Sequence, residues 1–342
     1  MVARERLHAD GAPVGALDDA ELAPWSITHA ISSDVEEQAA NLRGWDQVYE
    51  QLSPGRFVGG LREVRFPGVQ LFRETTNQAI HEAGAPQRGS RAIGVPMHLA
   101  GASRFRGAAV DADALITLGS ADELDFYAPR GFDIVALVVG ESSLETHAQE
   151  VEHRDLAPAF AGNGVLRPGR PRIDEFERLL SSVLQSAEVN PAAFRYRQAQ
   201  RVLEQSLLGA VVAAVADDAP VRPVEARERR QHVVDGAKAH MRSHIAEPIT
   251  VADLCRELRV SRRTLQYSFQ EVLGIKPVRF LRALRLNGVR RELRAGRPLA
   301  GSVQDTAARW GFWHLGHFVT EYKQMFGELP SETLRGKPTN GP

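Results

Sequence analysis

Two stretches near the C-terminus share one pattern: ITVADLCRELRVSRRTLQYSFQEVLG at residues 249–274 and GSVQDTAARWGFWHLGHFVTEYKQMFG at residues 301–327. Each begins with the Ser/Thr-x-x-Asp signature of a helix N-terminus, which starts at Thr250 in the first stretch and at Ser302 in the second. Each ends at a glycine, and after two further residues comes a proline. The repeated punctuation predicts two similar helical units in this part of the chain.

Apolar residues follow both start signals with the i, i+3, i+4, i+7 spacing of one buried helix face. In the first unit they are Val251, Leu254, Cys255 and Leu258, and in the second they are Val303, Thr306, Ala307 and Trp310. A second helix follows in each unit, with Leu265, Phe269 and Leu273, and then with Phe318, Tyr322 and Phe326. Two short helices joined by a turn form the unit that places one helix in a DNA major groove. The repeat therefore predicts a reader of two adjacent groove segments of double-stranded DNA.

The stretches VADLCRELRVSRRTLQYSFQEVLG and VQDTAARWGFWHLGHFVTEYKQMFG resemble the AraC/XylS transcription regulators, over roughly residues 225–336. The resemblance implies a seven-helix DNA-binding domain with helix-turn-helix units at 249–274 and 301–327. It places a connecting helix between them, from Pro277 to Leu293. It also implies a bacterial regulator that more often activates than represses, with RNA polymerase as a further candidate partner.

The charge distribution supports a nucleic-acid partner for the C-terminal part. Residues 221–342 hold 22 Lys and Arg against 12 Asp and Glu, whereas residues 1–220 hold 20 against 31, so the net charges are +10 and -11. A basic segment attached to an acidic one is typical of a nucleic-acid reader with a separate partner domain. An ordinary solvated surface with uneven charge is the alternative interpretation.

The remaining composition excludes several classes of protein. The single cysteine, Cys255, rules out an intrachain disulfide, and its place on an inner helix face favours a structural thiol. The N-terminal MVARERLHADGAP lacks the apolar run of a secretion signal, and no stretch reaches the ~18 apolar residues of a membrane span. We therefore expect a cytoplasmic protein with no membrane partner.

Short apolar runs separated by Gly, Pro and Asp dominate the middle of the chain and predict a small all-β sandwich or barrel. The runs are Phe57–Val64, Val69–Glu74, Ala92–Met97, Ala114–Thr117 and Ile134–Val139. Residues 1–24 are interpreted as a flexible arm, residues 32–52 as helical or mixed, residues 25–215 as a sensor and dimerisation domain, and residues 216–224 as a linker. The family resemblance implies that the sandwich is cupin-like and binds a small effector.

Two apolar stripes predict helices packed on the sandwich, one through Ile173, Phe176 and Leu180 and one through Leu207 and Val211. In the resembling family such helices commonly form a dimer interface, so a homodimer through residues 173–215 is expected. Packing within one chain is the alternative. The predicted fold class is thus a multidomain α+β chain, with a cupin-like β-sandwich and dimerisation helices followed by an all-α domain with two helix-turn-helix units.

The first recognition helix should begin after Ser261, a good N-cap residue. Carried over from the family, its base-reading positions are Arg262, Arg263, Gln266 and Tyr267. Arginine can bind the O6 and N7 atoms of guanine, and glutamine can bracket adenine. We assign bases to Arg263 and Gln266, and phosphate to Arg262, although any of them can instead touch only phosphate.

The second recognition helix departs from the family pattern of serines and an arginine. Its matching positions and a nearby cation are His314, Leu315, His317, Thr320 and Lys323. Leu315 suits a thymine methyl group, Thr320 suits a base or a phosphate, and His317 is more often structural. Phosphate contact or a salt bridge is the expectation for Lys323, Arg282, Arg285 and Arg309.

No recognisable catalytic constellation is present, so the sequence predicts no enzyme, no metal and no cofactor. A ligand pocket is the better hypothesis for the sandwich, and Phe72, Arg73 and His98 are its candidate residues. The stretches LRGWDQVYEQLSPGRFVGGL and GVQLFRETTNQA are similar to the sensor of AraC-type regulators of the ethanolamine-operon kind, which implies a small polar effector. A regulator that has lost its ligand and a cupin enzyme fused to a DNA reader are the alternatives.

Overall fold

The computed structural model describes residues 5–7, 24–162, 164–215, 225–244, 249, 251–295, 303–312 and 315–335. The predicted linker 216–224 and the predicted helix-start residues Thr250 and Ser302 lie outside the described residues. The strands lie in the N-terminal half together with a few helices, and the described residues of the C-terminal part form helices, which confirms a β-rich region followed by a helical one. Below, residues 24–215 are the N-terminal region and residues 225–335 the C-terminal region.

The strands form two antiparallel sheets. The large sheet has eight strands in the order β1-β2-β4-β5-β12-β7-β10-β13, and the small sheet has five in the order β3-β6-β11-β8-β9. The strands are β1 (Glu5–Leu7), β2 (Ser26–Ser32), β3 (Asp46–Gln51), β4 (Gly59–Phe66), β5 (Val69–Thr76), β6 (Ile80–Ala85), β7 (Ser90–His98), β8 (Ser103–Phe105), β9 (Ala108–Val110), β10 (Leu115–Gly119), β11 (Leu124–Ala128), β12 (Phe132–Gly140) and β13 (Val165–Leu166).

The two sheets face each other across one apolar core. Leu61 and Phe72 of the large sheet share this core with Tyr49, Ile80 and Phe126 of the small sheet, and all five side chains are buried. Strand side chains alternate between the two faces of a sheet, so each of these strands also presents a second, outward face.

All five predicted apolar runs are strands in the structure, namely β4, β5, β7, β10 and β12. Residues 32–52 are mixed, as expected: they contain the end of β2, helix α1 (Val35–Asn41) and β3. Within the predicted flexible arm, Glu5–Leu7 instead pairs with Ile27–His29 of β2. An edge strand such as β2 offers unpaired backbone groups, and β1 satisfies them.

Helices cover the outer face of the large sheet. They are α2 (Glu141–Glu150), α3 (Ala157–Phe160), α4 (Arg170–Val189) and α5 (Arg197–Val215), with a 3-10 turn at Pro191–Arg195. The stripe of Ile173, Phe176 and Leu180 is buried against Leu71 and Leu137 of the sheet. The alternative of packing within one chain therefore accounts for the stripes from which dimerisation was expected.

The C-terminal region contains seven helices within its described residues. They are α6 (Glu225–Ser243), α7 (Val251–Glu257), α8 (Arg262–Leu273), α9 (Pro277–Arg294), α10 (Val303–Arg309), α11 (Leu315–Phe326) and α12 (Pro330–Arg335). The expected connecting helix over Pro277 to Leu293 is α9. Two apolar cores divide this region, one under α6, α7 and α8 and one under α10, α11 and α12, and α9 contributes to both.

The helix ends follow the predicted punctuation. The Ser261 hydroxyl accepts a hydrogen bond from the Thr264 amide at 3.0 Å, which caps α8. Gly274 ends α8 in the left-handed conformation, and Gly327 after α11 also has a positive φ. In the turn between α7 and α8, Arg259 has a φ of 53°, and 52 positions later Gly311 has a φ of 80°. Both turns thus contain a residue with a positive φ at the corresponding position.

We expect Gly84→Ala to destabilise the N-terminal region severely. Gly84 lies in β6 with a φ of 150°, and a Cβ there would lie 1.9 Å from the Asp46 carbonyl oxygen on the neighbouring strand. A backbone carbonyl cannot move aside as the end of a flexible side chain can. The free energy of unfolding should therefore fall by about 3 kcal/mol or more. Denaturant unfolding of the full chain measures the change.

Gly89→Ala is the matched control, because Gly89 also has a positive φ but no atom lies within 4 Å of its added Cβ. It should lose only the ~1–2 kcal/mol of left-handed strain. Equal losses in the two variants would show that β3 does not constrain Gly84.

Candidate functional site

The first turns of α8 present a polar face to solvent. Arg262, Arg263, Gln266 and Tyr267 are all exposed, whereas Leu265 and Phe269 on the opposite side are fully buried. The described part of the N-terminal region leaves this face uncovered. The face brings together two guanidinium groups, an amide and a phenol, which are groups that bind phosphates and base edges.

An arginine outside the predicted unit joins this face. The Arg230 guanidinium of α6 lies 4.9 Å from the centre of the Tyr267 ring, in a cation–π arrangement. Tyr267 is 52% exposed, so a large ring is held at the surface with a cation beside it. The helix-turn-helix pattern gave no signal for Arg230, because it lies 37 positions before Tyr267 on another helix.

Helix α11 presents a sparser face. His317, Thr320 and Lys323 are exposed, and the Thr320 hydroxyl donates to the Gly316 carbonyl at 2.9 Å. His314 lies outside the described residues, as does the side chain of Leu315. This surface has one lysine where α8 has two arginines, and the described part therefore carries less positive charge than α8.

Two of the further arginines are salt-bridge partners. Arg282 of α9 pairs with Glu321 of α11, and Arg309 of α10 pairs with Glu292 of α9. Burial lowers the pKa of the half-buried Arg285, whose guanidinium packs against the turn at Gly311. These side chains tie α9 to the second helix pair, which favours the salt-bridge interpretation over phosphate contact for Arg282 and Arg309.

The outer face of the small sheet is covered by the C-terminal region, and sequence reasoning missed this contact. We call it the docking interface and define it by Gln51, His81 and Asp125 of the sheet with Lys238 of α6 and Asn287 of α9. Asn287 Nδ2 donates to the Gln51 carbonyl at 3.1 Å, and the Gln51 amide donates to Asn287 Oδ1 at 3.3 Å. Both residues are buried, so this reciprocal pair is shielded from water.

A buried charge cluster forms the centre of the docking interface. Asp125 pairs with the Lys238 ammonium group, accepts from Gln231 Nε2 at 3.1 Å, and lies 2.7 Å from His81 Nε2. Burial alone would raise the pKa of Asp125, but the His81 hydrogen bond and the Lys238 charge outweigh it, and the pKa is lowered. Asp125 is therefore ionised and compensated from both regions.

His81 is the neutral member of this cluster. Burial, and then the positive charge of Lys238, lower the pKa of His81 to about 4. Its ring packs edge-on against Phe280 of α9 with 5.6 Å between the ring centres. Since Nε2 faces Asp125, the neutral ring donates there, and Nδ1 is left without a hydrogen-bond partner among the described residues.

Ion pairs extend the docking interface along α9. Arg291 lies 3.1 Å from the buried Glu50 and 3.7 Å from Glu36. Arg294 pairs with Asp34, whose other carboxylate oxygen caps α1 by accepting from the Glu36 and Glu37 amides. The basic C-terminal region is thus joined to the acidic N-terminal region by complementary charge.

A cavity of about 50 Å3 lies between the two sheets. Aromatic and aliphatic side chains line most of it, and two carboxyl groups, Glu74 and Glu82, also face it. Glu74 accepts from Gln38 Nε2 at 2.8 Å and from the Tyr49 hydroxyl at 3.1 Å. Burial raises the pKa of both carboxyl groups, and for Glu82 the negative charge of Glu74 raises it further.

The structure does not bring the three predicted ligand residues together. Phe72 lines the cavity. Arg73, the next residue of β5, points to the other face of the sheet and forms a two-bond ion pair with Asp133. His98 is exposed at the end of β7. Strand alternation separates Phe72 from Arg73, whereas Glu74 and Glu82 were missed because a buried carboxyl looks like a surface residue in sequence.

Comparison with known proteins gives these features a family. Residues 254–336 match the family described as a helix-turn-helix domain. A probable thc operon regulatory protein of Rhodococcus erythropolis is 37% identical over 136 residues, which are 40% of this chain and 41% of that protein. XylDLEGF operon transcriptional activator 3 of Pseudomonas putida is 33% identical over 92 residues, covering 27% of this chain and 28% of that protein.

A solved structure of a probable AraC family transcriptional regulator from Rhodopseudomonas palustris is 33% identical and covers 30% of this chain and 95% of that one, with a TM-score of 0.29. The C-terminal segment of this chain is similar to the helix-turn-helix domain of AraC/XylS-type regulators. The chain spans 41% of the length of the Rhodococcus relative and 28% of that of the Pseudomonas relative. Both relatives are named as regulators of operons.

Among the residues that the structure describes, no group of three or more His, Cys, Asp or Glu side chains is placed to hold a metal ion. No helix in the described ranges is both long and apolar enough to cross a membrane.

We expect acid to destabilise the docking interface through His81. The unfolded chain binds a proton on this imidazole below pH ~6.5, whereas the folded chain does so only near pH 4, so stability is lost as the pH falls through this window. Relative to His81→Gln, the wild-type free energy of unfolding should fall by about 1.4 kcal/mol per pH unit between ~6.5 and ~4.

Denaturant unfolding at half-unit pH steps measures this difference, in which the contributions of Glu74 and Glu82 cancel. His98→Gln, which removes an exposed imidazole, is the matched control. A constant difference between wild type and His81→Gln across the window would contradict a neutral, buried His81.

Proposed function

We propose that this chain is a sequence-specific, DNA-binding regulator of transcription that responds to a small effector. The observation that carries the proposal is the exposed N-terminal face of α8, where Arg262, Arg263, Gln266 and Tyr267 stand together. It lies within the segment 254–336 that matches the helix-turn-helix family. A recognition helix presents its first turns to base edges in the same way.

The helix pairs α7–α8 and α10–α11 are proposed as two helix-turn-helix units, at 249–274 and 301–327. Arg259 and Gly311, which have a positive φ at corresponding positions, support the repeat of the helix pair. Ser261 fixes the start of the first recognition helix, Arg263 and Gln266 read bases, and Arg262 binds phosphate. The Tyr267 ring and the Arg230 guanidinium add a cationic surface at the edge of this helix face.

The second unit is proposed to bind the DNA backbone more than it reads base edges. Lys323 suits a phosphate and Thr320 suits a phosphate or a base, while His314, Leu315 and His317 complete the candidate surface. The Thr320 hydroxyl already donates to the Gly316 carbonyl, and it must leave this bond before it can donate to a phosphate. Sequence preference is therefore expected to come mainly from α8.

The N-terminal region, within residues 25–215, is proposed as a cupin-like sensor linked through residues 216–224 to a DNA-binding domain at 225–336. Two antiparallel sheets around an internal cavity support this architecture. The docking interface supplies the route to the DNA-binding domain, because the small sheet lines the cavity on one face and contacts α6 and α9 on the other. An effector that binds one arrangement better would shift the population toward it.

A homodimer through residues 173–215 remains part of the proposal, although the apolar stripes there pack within the chain. The exposed apolar side chains of these helices, Val189 at 79% and Val202 at 58%, are the surface available to a second copy. Activation through RNA polymerase is proposed by analogy with the Pseudomonas relative, which is named a transcriptional activator. Catalysis is not part of the proposed function, since the named relatives are regulators.

The test of base reading is the change of Arg263 or Gln266 to Ala. Selection of bound sequences from random DNA by the full chain first supplies an operator, and affinities for it and for a scrambled duplex are then measured at one salt concentration. Each variant should lose about 1–3 kcal/mol on the operator and much less on the scrambled duplex, because a base contact is lost only where the base is present.

Arg88→Ala and Gln87→Ala are the matched controls, since they remove the same kinds of exposed side chain from the loop between β6 and β7. Both should bind the operator like the wild type. Equal losses on operator and scrambled DNA would show that α8 touches only phosphate, and the absence of any selected sequence would refute specific recognition.

A further inference from the structure

The cavity between the sheets contains a polar group that lacks its partner. Glu82 is 6% exposed, and its Oε1 atom has no hydrogen-bond partner among the described residues. Its neighbour Glu74 differs, because Gln38 and Tyr49 both donate to it. A buried acceptor without a donor costs free energy that folding alone does not recover. Glu82 thus presents a buried acceptor for which the described part of the chain supplies no hydrogen-bond donor.

The chemistry of the lining indicates what that missing group is. No lining side chain among the described residues carries a positive charge, while two carboxyl groups face the space. The rings of Trp45 and Phe72 meet edge to face at 6.1 Å, and Phe126 packs against Phe132 at 5.1 Å. Aromatic faces carry negative partial charge and attract cations. Carboxyl groups among aromatic rings repel an anionic ligand and favour a cation with N–H donors.

The size of the cavity limits the ligand. Its volume is about 50 Å3, and roughly 10–15 Å3 on this scale holds one water molecule. A ligand of only a few non-hydrogen atoms fits without rearrangement. Because most of the lining is apolar, the ligand needs a short hydrocarbon part beside its charged end.

We propose that this cavity binds a small primary alkylammonium ion, with the ammonium group on the Glu82 carboxylate and the alkyl part among Trp45, Phe72 and Phe126. The inference rests on the proposed function, since it names the chemical class of the effector. Glu74, held by Gln38 and Tyr49, lies on the facing large sheet and supplies a second negative charge when it ionises. The ion provides the donor that Glu82 lacks and neutralises the charge that burial opposes.

Binding is coupled to a proton. Glu74 and Tyr49 are the titratable groups that share the cavity with Glu82, and burial together with the charge of Glu74 keeps the pKa of Glu82 high in the empty cavity. The outward neighbours His81 and Asp125 face the docking interface instead. A bound ammonium ion stabilises the carboxylate, so one proton leaves Glu82 as the cation arrives. Affinity should therefore rise as the pH rises toward the pKa of Glu82 in the empty cavity.

The test is calorimetric titration of the full chain with methylammonium, ethylammonium and propylammonium chloride. Methanol, ethanol and sodium acetate serve as neutral and anionic probes. Titrations at pH 7 in two buffers of different ionisation enthalpy count the protons released. We expect at least one ammonium ion to bind with the release of protons and with tighter affinity at pH 7 than at pH 6, while the alcohols and acetate do not compete.

Glu82→Gln should weaken ammonium binding by at least about 30-fold and abolish proton release, because the amide cannot ionise. It is isosteric with the protonated carboxyl, so the fold should be kept, and circular dichroism checks this. Glu63→Gln is the matched control: it replaces a buried carboxyl of β4 that already accepts from Gln70 and lies outside the cavity, and it should bind like the wild type.

The wild-type proton count tests the proposal even where Glu82→Gln fails to fold. Absence of heat with all three ammonium ions, binding without proton release, or tighter binding of the alcohols or acetate would each overturn it. DNA affinity of the same preparation separates the two proposals. Intact DNA binding without ammonium binding refutes the ligand class alone, and ammonium binding without DNA binding refutes the DNA function alone.

Discussion

The small sheet contacts other parts of the chain on both faces of β6 and β11, and this constraint shapes the rest of the structure. Its inner side chains must fit the core and cavity shared with the large sheet, while its outer side chains must fit α6 and α9. Consecutive residues of β6 show the division: His81 contacts the helices and Glu82 faces the cavity. On β11, Asp125 pairs with Lys238 while Phe126 lines the cavity.

The docking interface is polar at its centre, and this has a physical consequence. Removing one partner of the Asp125–Lys238 pair leaves an uncompensated buried charge, which costs about 3–5 kcal/mol. Such a contact depends strongly on relative position, because a charge pair and the reciprocal Gln51–Asn287 hydrogen bonds tolerate little sliding. The N-terminal and C-terminal regions are thus held in one defined arrangement. A purely apolar interface would instead allow many relative positions.

The sequence predicted the elements that have one clear periodicity and missed those whose polar side chains are buried. The faces of α8 follow directly from the spacing of Leu265 and Phe269, and β12 was evident because both of its faces are apolar. In contrast, β3, β6 and β11 carry Glu50, His81 and Asp125 on outward faces that normally meet water. Periodicity cannot distinguish a face that meets water from one that meets a docked helix with complementary charge.

The same limit explains the candidate site. The residues on α8 were predictable because a family pattern and an exposed helix face coincide, whereas Arg230 came from a helix distant in sequence. The stripe through Ile173 and Phe176 was correctly identified as buried, but what covers it, a sheet of the same chain, depends on tertiary structure. Glu82 carries no sequence signal at all, since only its environment makes it unusual.

The alternation along β6 and β11 also bears on how such a protein can be rebuilt. An N-terminal region taken from a related chain would bring its own outward-facing strand residues to α6 and α9, and a mismatch at Asp125 would place a charge opposite no counter-charge. Whether the two regions can be exchanged independently therefore cannot be judged from the connecting segment alone. A working chimera must keep the complementary pairs Asp125–Lys238, Gln51–Asn287 and Glu50–Arg291 together. These pairs form one surface, although their residues are far apart in the sequence.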